Sequence, residues 1–193
     1  MHARQIQGDG AERWILVFDV GDEAVAVLTD FARSHGLSAA SFTGIGAFGS
    51  VELGYFDWEA KDYVPIRLDE QVEVLALTGD VALADGEPTV HAHVVVGRHD
   101  GSAAGGHLLS GQVRPTLELV LVESPAELRK SYDPESGLAL IDLDASLAES
   151  GSGRGGEVDL PQTPEVSIAG EQARAVVEAE DAPRSSGEEG GAP

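Results

Sequence analysis

The sequence contains no cysteine and only one methionine among its 193 residues. The lack of cysteine excludes disulfides, thiolate metal ligands and a cysteine nucleophile, so any transition-metal site must use His, Asp or Glu. The sequence also lacks a run of about 18 apolar residues that could span a membrane, and an N-terminal basic segment followed by an apolar run. We therefore expect a soluble, cytoplasmic protein without a membrane partner.

Positive charge is scarce as well, with 12 Lys and Arg against 34 Asp and Glu and a formal net charge of −22. Residues 1–143 alone hold 9 basic and 23 acidic residues, so the acidic excess is not confined to the C-terminal segment. Nucleic-acid binding depends on Lys and Arg that displace counterions from phosphates, and a surface this acidic is expected to repel DNA. The composition thus argues against direct DNA binding.

The composition changes near residue 144. Residues 144–193 are rich in Gly, Ser, Pro, Ala and Glu and contain no aromatic residue, which is typical of a disordered acidic tail. The preceding 143 residues are enough for one domain with a hydrophobic core. We predict a globular domain over 1–143 and a disordered tail over 144–193, whose partner the sequence does not identify.

The predicted globular part combines one helical pattern with several strand patterns. Apolar residues recur at helical spacing from Val25 to Ala32, with Asp22 as the expected N-cap and Gly36 as the expected C-cap. Elsewhere, short apolar runs alternate with Gly, Asp and Pro turns, which indicates a largely antiparallel sheet. We therefore predict an α/β fold of the α+β type, in which one main helix packs on a mostly antiparallel sheet.

Four of the six histidines lie in HAHVVVGRHDGSAAGGHLLSG, residues 91–111. Because side chains alternate across a strand, His91 and His93 share one face, and a chain reversal in RHDGSAAGG would bring His107 to that face. Three neutral imidazoles there could bind zinc or another divalent transition metal and leave one tetrahedral position open. The spacing equally fits half-exposed histidines on a polar sheet face. His99 is interpreted as a solvated loop residue.

The segment GIGAFG places glycines at 44, 46 and 49 with the spacing of a dinucleotide-binding fingerprint. The sequence that follows, SVELGYFD, has a strand pattern, whereas the fingerprint requires a helix whose N-terminus holds the pyrophosphate. Close backbone packing or a tight bend therefore explains these glycines better than a nucleotide site.

The same segments carry a family resemblance. TGIGAFGSVELGYFD, followed by HAHVVVGRHDGSAAGGHLLSGQVRPTLELVL, resembles the PPC domain, the plant and prokaryote conserved domain also known as domain of unknown function 296 or the PD1-like DNA-binding motif. The similarity covers about residues 3–143. It implies a compact α/β fold, a homotrimer, and in stand-alone prokaryotic members a metal ion, with zinc expected, at His91, His93 and His107.

The resemblance leaves several functions open. One is a trimeric metal-binding module without a catalytic role, and a second is a metal-dependent hydrolase that uses the open coordination position. For the second, Glu118 in RPTLELVLV is the candidate general base or orienting carboxylate, unless it is a solvated carboxylate on an edge strand. A third is a regulatory protein that associates with DNA through partners, because the chain lacks the RGRP segments of AT-hooks. No motif identifies a substrate or reaction.

Overall fold

The computed structural model describes residues 1–6 and 12–148, apart from the side chains of residues 147 and 148. The elements of the described part are, in chain order, β1 (His2–Ile6), β2 (Arg13–Phe18), α1 (Ala24–Ser34), β3 (Ala39–Asp57), β4 (Asp62–Leu68), β5 (Val72–Ala84), β6 (Glu87–Gly97), β7 (Ala103–Glu123), β8 (Arg129–Tyr132), β9 (Ala139–Asp142) and α2 (Leu143–Ala148).

All strands belong to one sheet with the order β1-β2-β7-β3-β5-β8-β9. Strand β4 pairs with β3, and β6 pairs with both β5 and β7. Since β3 also pairs with both β5 and β7, these four long strands form a closed circuit of pairings. Every pairing is antiparallel except that between β5 and β8. The predicted fold class, a mostly antiparallel sheet with one main helix, is confirmed.

Helix α1 packs on the core face of the sheet. Its buried side chains are Ala24, Leu28, Phe31 and Ala32, and they join one hydrophobic cluster with apolar side chains of the sheet, including Phe42, Leu77, Ala92, Val94, Leu108 and Leu117. The helix lies against β6 and β7. The opposite side of these two strands, here called the outer face, is therefore free of the helix.

Both caps of α1 differ from the sequence prediction by one residue. The N-cap is Glu23, whose carboxylate accepts hydrogen bonds from Val25 N and Ala26 N. The predicted N-cap, Asp22, accepts instead from Asp19 N. A longer carboxylate one residue later can reach the same free N–H groups, which is why the prediction of Asp22 was wrong.

The C-terminal end of the helix follows the usual pattern. His35 is the C-cap, and Gly36 follows it with a φ of 63°, in the left-handed region where glycine is favoured. The predicted C-cap, Gly36, is therefore one residue too late, although it is the glycine that turns the chain out of the helix.

The GIGAFG glycines lie within β3, where neighbouring backbones come close. The register of β3 against β5 shifts between Gly44 and Gly46. A Cβ on Gly46 would lie 2.3 Å from Thr116 O, and one on Gly44 would lie 2.8 Å from Glu118 O. The interpretation of close backbone packing is confirmed for Gly44 and Gly46, whereas a Cβ on Gly49 would meet Arg114 atoms only at 3.4 Å. The segment continues as strand and does not open a helix.

The described structure continues past the predicted domain boundary at 143/144. Strands β8 and β9 form a hairpin at the end of the sheet, and α2 begins at Leu143 and runs to Ala148. The hydroxyl of Ser146, a buried residue, accepts a hydrogen bond of 2.9 Å from Arg129 N. The first residues of the predicted tail thus pack on β8, while residues 149–193 lie outside the described part.

Candidate metal centre

Strand β6 places two histidines on the outer face. Ala92, Val94 and Val96 are buried in the core, whereas the His91 side chain is 43% exposed and His93 is exposed. This is the alternation that the sequence predicts for a strand with one buried face.

The turn between β6 and β7 brings the third histidine to the same face. The loop closes by hydrogen bonds of 2.8 Å from Arg98 N to Ser102 O and 2.9 Å from Gly101 N to Arg98 O. Counting outward from it, His93 pairs with His107. His99 is exposed within the loop, as predicted, and does not join the cluster.

The three imidazoles converge. One ring nitrogen from each of His91, His93 and His107 lies within 4.8 Å of the others, and the ring centroids are 5.2 to 5.4 Å apart. Nitrogens bound to one tetrahedral zinc are about 3.4 Å apart, given Zn–N bonds of about 2.1 Å.

A buried nitrogen of the cluster lacks a partner. Nδ1 of His107 is inaccessible to solvent and has no hydrogen-bond partner among the described residues. Such a group is costly unless something satisfies it, and a metal ion can do so by accepting the lone pair of the imidazole nitrogen. Three nitrogen donors without a thiolate match zinc or another borderline transition metal better than calcium or magnesium, which prefer oxygen.

The electrostatics of the centre keep two of its histidines neutral. Burial, followed by the charges of His91, His93 and Lys130, lowers the pKa of His107 to about 4. Burial and then the charge of His91 also lower the pKa of His93. Because a histidine binds metal only through a deprotonated nitrogen, both shifts favour the state that can act as a ligand.

One histidine has a carboxylate behind it. Asp80 of β5 pairs directly with His91, and its Oδ2 lies 3.2 Å from His91 Nδ1. The other oxygen, Oδ1, lies 3.0 Å from Nζ of Lys130. Burial raises the pKa of Asp80, but the hydrogen bonds and charges of His91 and Lys130 outweigh it and lower the pKa overall. Asp80 is therefore ionised at neutral pH.

An aromatic ring covers another histidine. Tyr63 of β4 stacks on His107, with ring centroids 4.5 Å apart and planes inclined by 23°. Gly54, which pairs with His107, leaves room for this ring, because a Cβ there would lie 2.7 Å from Tyr63 Cδ1. Burial raises the pKa of Tyr63, so the phenol stays protonated beside the centre.

Glu118 is placed elsewhere. It lies on β7 eleven residues after His107 and pairs with Val17 and Ile45. Its side chain borders an open groove that is also lined by Ile45, Leu75 and Val120, and no histidine lines this groove. The structure therefore brings the three predicted ligands together and leaves the candidate general base apart from them.

The family assignment follows from comparison with known proteins. A model of the Plants and Prokaryotes Conserved (PCC) domain matches residues 5–125, more than half of the chain. The chain belongs to this family. The resemblance to the PPC domain, another name for the same conserved domain, is thereby confirmed. Asp80 and the three histidines fall within the matched residues, and Lys130 falls after them.

Three solved structures resemble this PCC-domain chain over nearly their whole length. A Bacteroides thetaiotaomicron protein described as a candidate DNA-binding protein is 30% identical, with a TM-score of 0.68 and coverage of 74% of this chain and 98% of that one. A plant- and prokaryote-conserved protein of Pyrococcus horikoshii is 32% identical, with a TM-score of 0.64 and coverage of 73% of this chain and 94% of that one. A metal-containing protein of Archaeoglobus fulgidus is 33% identical, with a TM-score of 0.63 and coverage of 73% of this chain and 98% of that one.

A curated relative carries a similar segment within a longer chain. The bifunctional protein GlmU of a Synechococcus strain is 33% identical over 125 residues, which are 64% of this chain and 19% of the relative. The PCC-domain chain thus spans about a fifth of the length of this relative. Within the described residues of our protein, neither helix is long and apolar enough to cross a membrane.

Proposed function

We propose that the protein binds one transition-metal ion through His91, His93 and His107, and that this ion is zinc. The observation that carries the proposal is the convergence of three ring nitrogens within 4.8 Å of one another. The buried, unpartnered Nδ1 of His107 supports it, as does the similarity to the A. fulgidus protein that is described as metal-containing.

We further propose a binding or structural role for this ion in preference to a hydrolytic one. A zinc ion with three histidine ligands has an open fourth position and could activate a water molecule there. In the described part of the chain, however, no carboxylate belongs to the cluster. Asp80 is engaged by His91 and Lys130, and Glu118 lies in a separate groove. Neither of these two carboxylates is thus placed as a free general base for a water at the open position.

Elemental analysis of the protein, purified without chelators, tests the proposal. We expect about one metal ion per chain. The double variant His91→Ala with His93→Ala should lose it, whereas His99→Ala, a matched control in the same segment, should retain it. Wild-type protein that neither carries a metal nor binds added zinc would overturn the proposal.

We also propose that the chain forms a homotrimer through the groove beside Glu118. Its exposed apolar side chains are Ile45, Leu75 and Val120, which are 63%, 55% and 44% exposed. Exposed apolar side chains grouped in one groove are typical of a protein interface. A closed ring of three copies would cover the same groove in each.

A direct contact with DNA is not part of the proposed function. Several cations of the described residues are already paired with carboxylates, as in Arg33 with Glu87 and Arg98 with Glu70. Together with the net charge of −22, this pairing leaves little to attract phosphates. If the DNA-binding description of the B. thetaiotaomicron relative extends to this chain, we propose that the association occurs through partner proteins.

A further inference from the structure

Lys130 is a buried cation that the family match does not include. The match ends at residue 125, and Lys130 lies in β8, which pairs in parallel with β5. Its side chain is only 6% exposed, and its Nζ reaches Asp80 Oδ1 at 3.0 Å. Because burying an ammonium ion is costly, its partner must be well placed to compensate for the lost hydration.

Asp80 divides its two oxygens between Lys130 and His91. Oδ1 faces the ammonium group, and Oδ2 lies 3.2 Å from Nδ1 of His91. An ionised carboxylate can only accept hydrogen bonds, so Nδ1 must carry the proton. In a neutral imidazole the lone pair is then on Nε2. The contact thus selects which nitrogen of His91 is free to bind a metal.

We propose that Asp80 and Lys130 form a positioning pair for the metal centre, in which Lys130 holds Asp80 and Asp80 fixes the tautomer and ring orientation of His91. The inference rests on the proposed metal binding for its purpose, although the contact itself exists without the ion. It assigns to β8, which lies beyond the matched domain, a role in the centre. Carboxylates behind histidine ligands act in this way in metal sites generally.

The alternative is that the ion pair only attaches β8 to β5. This alternative predicts that loss of the pair changes stability but neither the tautomer of His91 nor the intrinsic affinity for metal. The two ideas can therefore be separated by measurements on a variant that still folds.

The variant is Asp80→Leu combined with Lys130→Met. Either single substitution would leave a buried charge unpaired and could unfold the protein, whereas removing both partners with apolar groups of similar size is tolerated better. The double substitution leaves the net charge unchanged. The matched control is Glu52→Leu with Arg67→Met, which removes another cross-strand ion pair, 3.0 Å long, whose two residues are directly paired on β3 and β4.

The first measurement is nitrogen NMR of the histidine rings in metal-free protein at about pH 8, where neutral imidazoles report their tautomer. We expect His91 to carry its proton on Nδ1 in the wild type and in the control. In Asp80→Leu with Lys130→Met, we expect this preference to be lost. An unchanged tautomer in the folded variant would overturn the inference.

The second measurement is zinc affinity by competition with a chromophoric chelator. We expect the double variant to bind zinc about 10- to 100-fold more weakly than the wild type, the usual effect of removing such a partner, and the control to stay within about twofold. Equal affinity of wild type and double variant would also overturn the inference. If the wild type does not bind zinc, the proposed function fails, and the tautomer measurement still decides whether Asp80 orients His91.

Discussion

His93 and His107 lie directly opposite each other across the antiparallel pair of β6 and β7, with ring centroids 5.4 Å apart. Backbone hydrogen bonds of the sheet fix this relationship, so two of the three proposed ligands are held by regular structure. His91 lies two residues before His93 on the same face of β6. A site built on strands in this way is organised before an ion arrives, which lowers the entropic cost of binding.

Zinc binding should weaken at low pH, but at a lower pH than for a site of ordinary histidines. The pKa of His107 is lowered to about 4 and that of His93 is also lowered, so these two ligands remain neutral below the usual range. Protons therefore compete with the metal for these two nitrogens only below the pH at which ordinary histidines titrate. We expect most of the loss of affinity between about pH 6 and pH 4 in a chelator competition series. Stoichiometric zinc at about pH 3 would contradict a histidine centre.

The metal-free protein should lose stability over the same range. His107 has a pKa near 6.5 when unfolded and about 4 when folded, so between these values the unfolded chain binds more protons. The free energy of unfolding therefore decreases as the pH falls from 6.5 to about 4. Urea unfolding with a chelator present should show this decrease, and His107→Gln should reduce its slope. Parallel curves for the two proteins would show that His107 does not contribute.

Sequence patterns named the three histidines of the cluster as candidates, and the family resemblance favoured a metal site over half-exposed residues on a polar face. Strand alternation placed His91 and His93 on one face, and the turn after β6 brought His107 to them. The sequence also predicted the helix and the dominance of antiparallel strands. These features depend on local patterns and on short connections, so they can be predicted from a single sequence.

Asp80, Lys130 and Tyr63 were not predicted. A signal for Asp80 was present: Asp85 and Gly86 form a two-residue hairpin turn with φ values of 51° and 82°, a pairing that fixes the strand register. Counting outward from that turn leads to the pair of Asp80 with His91. No comparable signal exists for Lys130 or Tyr63, because their strands meet the centre through sheet neighbours that local patterns do not specify.

Gly54→Ala should disturb the centre through Tyr63. The new Cβ would lie 2.7 Å from the Tyr63 ring, which must then move from its stacked position on His107. We expect the free energy of unfolding to fall by about 1–3 kcal/mol, together with weaker zinc binding. Gly49→Ala on the same strand is the control, since its Cβ would meet Arg114 atoms at 3.4 Å, an ordinary contact. Unfolding curves and chelator titrations would check both; equal effects of the two variants would contradict this role of Gly54.

Leu75→Glu should dissociate the proposed homotrimer. Leu75 is 55% exposed in the groove beside Glu118, and a second carboxylate there would have to be buried next to the first. We expect light scattering to report a trimer for the wild type and a monomer for the variant. Val20→Glu is the control, because Val20 is 67% exposed but lies in the turn after β2. A trimer that persists in Leu75→Glu would place the interface elsewhere.

Two C-terminal truncations should differ in stability, because one keeps α2 and the other removes it. Removal of residues 149–193 leaves α2 intact, with the buried Ser146 accepting its hydrogen bond from Arg129 N. Removal of 144–193, at the boundary that composition suggests, deletes that contact and exposes β8. Since β8 carries Lys130, we expect the protein that ends at residue 143 to have a free energy of unfolding about 1–3 kcal/mol lower than the full chain and to bind zinc more weakly. The protein that ends at residue 148 should match the full chain in both. Thermal unfolding and zinc titration of both would check this, and identical behaviour of the two truncations would show that α2 does not support β8.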